Sequence, residues 1–291
     1  MTSRFRTLLR LIPDRIYIQM QYFYHFHRFA NLKNPQMFNE KLNWLKLNDH
    51  NPLYTTLVDK YAVKKWVADK IGEQYIIPTL AVWEKAEDID FDALPDQFVL
   101  KVNHDSGGLV ICKDKSKLDR QAAIAKLSRA LKNNGYWYGR EWPYKNVKPC
   151  IIAEAFMSDG QHADLTDYKF FCFNGIPLYC QVISDRSTGE KIDFFDMEWN
   201  FQKFTGLHRP HYPHYPHYPY KIEKPICFEN MKQVCGILAK DIPFVRVDFY
   251  EVQGKMYFGE MTFYPAGGFG EFSPNEWNYI FGDKLILDKE K

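Results

Sequence analysis

Two carboxylates and an arginine late in the chain are spaced as a hairpin would space them. The segment Phe244-Val-Arg-Val-Asp-Phe-Tyr-Glu-Val-Gln-Gly-Lys-Met-Tyr-Phe-Gly-Glu-Met-Thr-Phe263 reads as two strands joined by a tight turn over 253–255. With the turn centred on Gly254, Val252 faces Met256, Asp248 faces Glu260 and Arg246 faces Thr262. By the two-residue period of a strand all six then share one face. Val245, Val247, Phe249, Met261 and Phe263 point to the other, apolar face. Carboxylates directly opposite each other repel. A hard divalent cation with oxygen ligands relieves that repulsion, and Mg²⁺ shared with phosphates is the common case. Arg246 adds positive charge for phosphate oxygens. The alternative is an edge hairpin whose polar face meets solvent, with Arg246 paired to Asp248. A slip of one residue would separate the carboxylates.

A second segment, Gln97-Phe-Val-Leu-Lys-Val-Asn-His-Asp-Ser-Gly-Gly-Leu-Val-Ile111, reads as strand, glycine loop, strand. Ser106, Gly107 and Gly108 let backbone N–H groups approach an anion, and Lys101 ends the first strand within reach of it. No helix and no GK[ST] follow, so this is not a Walker loop. Taken alone, an ordinary hairpin turn explains it as well. Asp59-Lys60 falls inside a helical pattern. Glu154 interrupts the apolar strand Ile151-Ile-Ala-Glu-Ala-Phe156, and a buried glutamate needs a partner. Asp167 and Lys169 share one strand face, and Arg186 follows the next strand. Each of these could equally be a surface ion-pair residue.

Positioning such groups requires a mixed scaffold. Helical spacing predicts helices over 38–47, 57–71, 120–132 and 229–239. Strands are predicted over 76–82, 98–102, 109–112, 151–157, 168–173, 177–184 and 191–196. Helices and strands do not alternate as in a doubly wound sheet, so the class is α+β with strands meeting in hairpins. Residues 208–220 repeat His-Tyr-Pro, and proline at every third position favours an extended surface loop. Its four histidines could collect a transition metal, but a mobile loop is the simpler reading. Residues 1–33 are basic and aromatic around a lone Asp14. They read as an amphipathic helix touching a membrane or polyanion, or as an extra helix packed on the domain.

The chain has 291 residues, enough for two intimate lobes, and 46% of them are hydrophobic. Net charge is only +2, which argues against nucleic acid as a partner. The six cysteines form no CxxC pair, Arg10 interrupts the only early apolar run, and no stretch is long enough to span a bilayer. A cytoplasmic protein with reduced thiols is expected.

The order of the pieces over about residues 50–270 resembles the ATP-grasp enzymes. Those enzymes carry D-K, a proline-containing strand, K before a glycine loop, E on a hinge strand and a closing D…E-x-N hairpin. Here the counterparts are Asp59-Lys60, Pro78, Lys101 with Gly107-Gly108, Glu154, and Asp248…Glu260-Met-Thr262. The resemblance implies that Lys60 and Lys101 contact phosphates. It implies that Glu154, Ala155 and Phe156 hold adenine, and that Asp248 and Glu260 bind Mg²⁺. Asp167-Tyr-Lys169 with Arg186 resembles the D-x-R…R arrangement of carboxylate–amine ligases, with Lys169 in place of the first arginine. Thr262 replaces the usual metal-binding asparagine, which puts a second metal ion in doubt. The stretch Gly259-Glu-Met-Thr-Phe-Tyr-Pro-Ala-Gly-Gly268, with Phe38-Asn-Glu-Lys-Leu-Asn-Trp-Leu-Lys-Leu47 and the ending near 281–284, is similar to one branch, the TupA-like ATP-grasp proteins. That branch is associated with bacterial surface polysaccharides and teichuronopeptide synthesis.

The implied organisation is an N-terminal helical extension (1–50), a lobe with the glycine loop (51–150) and a lobe with the metal-binding hairpin (151–291). The implied reaction joins a carboxylate, such as a uronic acid of a surface polysaccharide, to an amino acid or other amine through an acyl phosphate. ATP and Mg²⁺ are the implied cofactors. The acceptor would be a saccharide, free or lipid-linked. Arg246, Lys169 and Arg186 would steady the transferred group. A sugar kinase, with His104 or Asp105 as base, and a metal-dependent glycosyltransferase are the alternatives. A sugar-binding module without catalysis is the non-enzymatic one.

Overall fold

The computed structural model describes residues 10–105, 107–160, 163–208 and 215–288. Ser106, residues 1–9 and residues 209–214 of the His-Tyr-Pro repeat lie outside the described residues. Helices α1 (Asp14–Phe26), α2 (Phe38–Asn48), α3 (Leu53–Val58) and α4 (Ala62–Ile71) come first. Strands β1 (Thr79–Trp83), β2 (Phe98–Val102) and β3 (Leu109–Cys112) follow, then α5 (Arg120–Leu131) and β4 (Ile151–Ala155). The second half holds β5 (Asp167–Phe173), β6 (Ile176–Ser184), β7 (Lys191–Asp196), β8 (Phe201–Gln202) and β9 (Thr205–His208). Helix α6 (Phe228–Leu238), β10 (Phe244–Val252), β11 (Lys255–Thr262), β12 (Glu271–Ser273) and α7 (Glu276–Lys284) close it.

The strands form two main antiparallel sheets, in the orders β1-β4-β2-β3 and β11-β10-β5-β6-β7-β8, and a small β12-β9 pair. This is the α+β arrangement expected. β4 pairs with β1 and β2, so the first sheet closes at Ala155, a strand beyond residue 150.

The six-stranded sheet explains where the aromatic residues go. On one face Phe170 of β5 and Phe249 of β10 approach each other and Phe170 meets Phe228 of α6, with ring centroids 5.5 Å apart in the latter pair. On the other face Phe171, Phe173 and Phe244 pack against Phe38 of α2 and Phe281 of α7. Strand periodicity then places Lys169 and Asp167 on the same face as Phe171, and Arg246 and Asp248 on the same face as Phe244. One face therefore passes from aromatic to charged along the same strands. The buried rings anchor the strands, each fully buried one contributing about 1.5–3 kcal/mol, and the charged ends are held where they stand.

Two expectations need correction. The helix expected over 57–71 is broken: α3 ends at Val58, and Asp59 is extended with φ −75° and ψ 108°. The Asp59 carboxylate accepts the N–H groups of Tyr61 and Ala62, starting a new helix as an N-terminal cap does. Lys60 is thus off the helix, and its N–H donates to the Asn103 carbonyl. The repeat is not simply a loose loop in its described part. Ile192 donates to the Pro216 carbonyl, and Asp193 accepts from Tyr218 N and binds His217 Nδ1 at 2.8 Å. Among the described residues no group of three or more histidines, cysteines and carboxylates is placed to hold a metal ion.

Candidate active cleft

A cleft of about 570 Å³ opens between the two main sheets. Ile77, Val99, Leu109, Ile111 and Phe156 make an apolar wall. Lys60, Lys101, Glu154, Asp167, Lys169, Arg186 and Glu260 make a charged one. Ala155 and Gly108 line it too, so most of the residues singled out in the sequence meet in one place.

The four-stranded sheet supplies a lysine clamp. In β2, Phe98, Leu100 and Val102 are buried under α5, which turns Val99 and Lys101 to the cleft. Glu154 is 4% exposed. Its two oxygens are held by Lys101 and Lys64, each at 2.6 Å. Burial raises the Glu154 carboxyl, but the charges of Lys101 and Lys64 outweigh it and leave its pKa below the ordinary value. Burial likewise pulls the Lys64 amine below its ordinary value, against the attraction of Glu154. Lys64 was not legible in the sequence. The available signal was Glu154 itself, whose buried charge calls for more than one cation.

The six-stranded sheet supplies an alternating chain of charges. Lys169, Asp248 and Glu260 are register neighbours on the adjacent strands β5, β10 and β11. Arg186 Nε binds Asp167 at 2.8 Å, and Lys169 Nζ lies 3.1 Å from the other Asp167 oxygen. Lys169 also binds Asp248 directly. Arg246 grips Asp248 through Nε and Nη2, both at 2.7 Å, and reaches Glu260 at 3.3 Å. Lys60 Nζ closes the chain 3.4 Å from Glu260. Burial favours neutral Arg246, but Asp248 and Glu260 dominate and raise its pKa still further. Tyr250, paired in register with Asp167, also lines the cleft and is an addition to the sequence reading.

Glu260 is the accessible carboxylate, with its side chain 35% exposed against 2% for Asp248. Burial alone would raise its pKa. Lys60, Lys169, Arg246 and Lys101 more than reverse that, holding the carboxyl far below the usual carboxylate range. These residues fit one hard cation. Two carboxylates sit opposite each other, and the Thr262 hydroxyl lies 3.5 Å from Glu260 Oε1. Asp248 is fully engaged by Arg246 and Lys169, and Thr262 Oγ1 accepts from Arg246 at 3.0 Å. Glu260 is therefore the ligand free to turn to an ion, and Asp248 would exchange a cationic partner for it.

The hairpin reaches this geometry by a route the sequence did not show. The turn has two residues, Gln253 and Gly254, both with positive φ, so Val252 faces Lys255 rather than Met256. That register alone would misalign the carboxylates. A bulge at Gly259 inserts one unpaired residue, after which Asp248 again faces Glu260 and Arg246 faces Thr262. Met256 consequently joins the core instead of sharing the Asp248 face.

The described part of the glycine loop is tightly packed. A Cβ on Gly108 would come within 2.7 Å of the Val102 and Ala130 side chains, so close packing against α5 requires this glycine. Gly107 N–H donates to Asp105 at 3.2 Å, and Asp105 also accepts from Asn133. The loop is braced by its own carboxylate.

No curated protein is a significant sequence match to the chain. Among solved structures, D-alanine–D-alanine ligase from Bacillus anthracis complexed with ATP is similar at 18% identity and a TM-score of 0.40, over 71% of this chain and 53% of that one. The corresponding ligase from Helicobacter pylori is similar at 13% identity and a TM-score of 0.38, over 79% of this chain and 61% of that one. D-cycloserine synthetase DcsG is similar at 14% identity and a TM-score of 0.45, over 80% of this chain and 71% of that one. The chain thus spans little more than half the length of the first of these. The model of the TupA-like ATP-grasp family matches residues 40–286, which include both sheets, the lysine clamp and the carboxylate hairpin. The chain belongs to the TupA-like ATP-grasp family.

Proposed function

We propose that the protein is an ATP- and Mg²⁺-dependent ligase that joins a carboxylate to an amine through an acyl phosphate. The observation that carries this reading is Glu260, paired in register with Asp248, lining one cleft together with Lys60, Lys101 and Glu154. The apolar wall of Ile77, Val99, Leu109, Ile111 and Phe156 suits a purine ring, with the Glu154–Phe156 backbone at its edge. Lys60 and Lys101 would then bind and orient the phosphates, with Lys64 holding Glu154. Mg²⁺ on Glu260 and Asp248 would screen the phosphate charge. Lys169 and the half-exposed Arg186 in the cleft, with Arg246 behind them on Asp248, would hold the transferred phosphoryl group beside the acceptor. Catalysis on this reading is positioning and charge neutralisation.

The acceptor we favour is a uronic acid of a surface polysaccharide, with an amino acid as the amine. Support for that part is the family resemblance. A sugar kinase needs a base in the cleft, and the suggested His104 is a poor one. It is 2% exposed, its ring nitrogens contact Asn103 Oδ1 and the Asn133 carbonyl, and burial lowers its pKa. On this reading residues 1–50 serve as an extension to the two catalytic lobes.

The test is ADP formation with ATP, Mg²⁺ and glycan precursors, with and without amino acids. A ligase releases ADP only with both acceptor and amine, and the product gains an amino acid less water. ADP without amine and a gain of one phosphate would make it a kinase. Release of a nucleoside diphosphate from a nucleotide sugar would overturn the reading.

A further inference from the structure

Helix α1 buries one side and leaves a second apolar side uncovered. Tyr17, Ile18 and Tyr22 face inward, where Ile18 and Tyr22 join Ala30, Leu32 and Phe269 in a small core. Ile16, Met20, Phe23 and Tyr24, spaced at i, i+4, i+7 and i+8, fall on the opposite side. They are 54%, 51%, 47% and 64% exposed. Phe29, 66% exposed, stacks on Phe23 with ring centroids 5.1 Å apart and extends the stripe. A helix belonging only to the fold would put polar residues there.

The sequence that carries this stripe is basic. Residues 1–33 hold Arg4, Arg6, Arg10, Arg15, Arg28 and Lys33, and a single acidic residue, Asp14. Asp14 is turned away from the stripe: Arg140 Nε lies 3.2 Å from it, and the Tyr136 hydroxyl donates to it at 2.7 Å. Arg10, Arg15 and Lys33 are exposed. Arg10 stacks on Trp137, 5.1 Å from the ring centroid, and Arg28 leans inward, to Glu40 at 3.3 Å.

We infer that this face docks on an anionic lipid bilayer, lying in the interface with its rings among the acyl chains and its arginines among the headgroups. Exposed aromatic and aliphatic side chains flanked by arginine suit a surface that is apolar beneath and negative above. A soluble polyanion would satisfy the arginines and leave Phe23, Tyr24 and Phe29 in water. No helix among the described residues is long and apolar enough to cross a membrane, so the contact is superficial. The inward side of α1 rests on Phe269, a few residues beyond Thr262. The inference stands on α1 and its charges and does not depend on the ligase reading.

The test is flotation of the full chain with phosphatidylcholine vesicles and with vesicles containing phosphatidylglycerol. The chain is expected to float with the anionic vesicles, less so at high salt, and not with the neutral ones. The variant carrying Phe23→Ser, Tyr24→Ser and Phe29→Ser should bind about tenfold or more weakly, while its ATP affinity and unfolding midpoint stay unchanged. Absence of flotation, or flotation that the triple variant keeps in full, would overturn the inference. So would a dimer in solution that the triple variant turns into a monomer while neither form floats, because the stripe would then serve a second copy.

Discussion

Asp248 and Glu260 face each other across β10 and β11, and the unpaired Gly259 between Phe258 and Glu260 puts them there. The two carboxylates differ in setting. Asp248 is held by Arg246 and Lys169 inside the sheet, whereas Glu260 opens toward the cleft.

That difference predicts different consequences for removing each charge. Glu260→Gln should lower turnover by about a hundredfold or more and leave the unfolding midpoint nearly unchanged, because Glu260 is the partly exposed member. Asp248→Asn should lower turnover and also destabilise by about 3 kcal/mol, because it leaves Lys169 and Arg246 short of a buried counter-charge. Thermal unfolding beside an ATP turnover assay checks both. Equal stability losses would contradict the assignment.

The bulge makes its own prediction. A Cβ on Gly259 would lie 3.1 Å from the Asp248 carbonyl oxygen and 3.2 Å from the Tyr250 ring. The carbonyl belongs to a central strand and has little room to yield. Gly259→Ala should cost about 1–2 kcal/mol, seen in denaturant unfolding, and should lower turnover by shifting Asp248 against Glu260. Full activity would show that the carboxylate register is unimportant.

This hairpin also shows what a sequence can and cannot disclose. The facing of Asp248 and Glu260 was legible, but by two compensating features. A turn one residue shorter than expected was offset by a bulge, and neither leaves a signal in hydrophobic alternation, which only the long apolar runs dominate. Strands β2, β3 and β7 were legible to the residue for the same reason. The break at Asp59 was hidden because Leu57 and Val63 continue a helical rhythm that the Asp59 cap interrupts. Lys64 was hidden because its partner Glu154 lies far along the chain, and such pairings are properties of the fold.

The lysine clamp predicts a pH dependence. The Glu154 pKa is lowered in the folded protein by Lys101 and Lys64 against its burial. Its contribution to stability is therefore complete above the unfolded carboxylate pKa, about 4.3. It is lost as pH falls below that value through the folded pKa. Glu154→Gln should remove this part of the acid-side slope and destabilise by about 3 kcal/mol at neutral pH, since two mostly buried lysines lose their shared partner. Denaturant unfolding from neutral to acid pH, on wild type and variant, measures it. Parallel curves would show that Glu154 does not titrate as the clamp requires.

The account rests most heavily on acyl activation in the cleft, and an oxygen label tests it. An acceptor labelled with ¹⁸O in its carboxylate is incubated with ATP, Mg²⁺, the amine and the protein, and the phosphate released is weighed by mass spectrometry. Attack of the carboxylate on the γ-phosphorus, followed by displacement of phosphate by the amine, carries one labelled oxygen into the phosphate and leaves the other in the amide. The account predicts labelled inorganic phosphate in step with ADP. Unlabelled phosphate, or a phosphorylated acceptor that keeps both labelled oxygens, would contradict it.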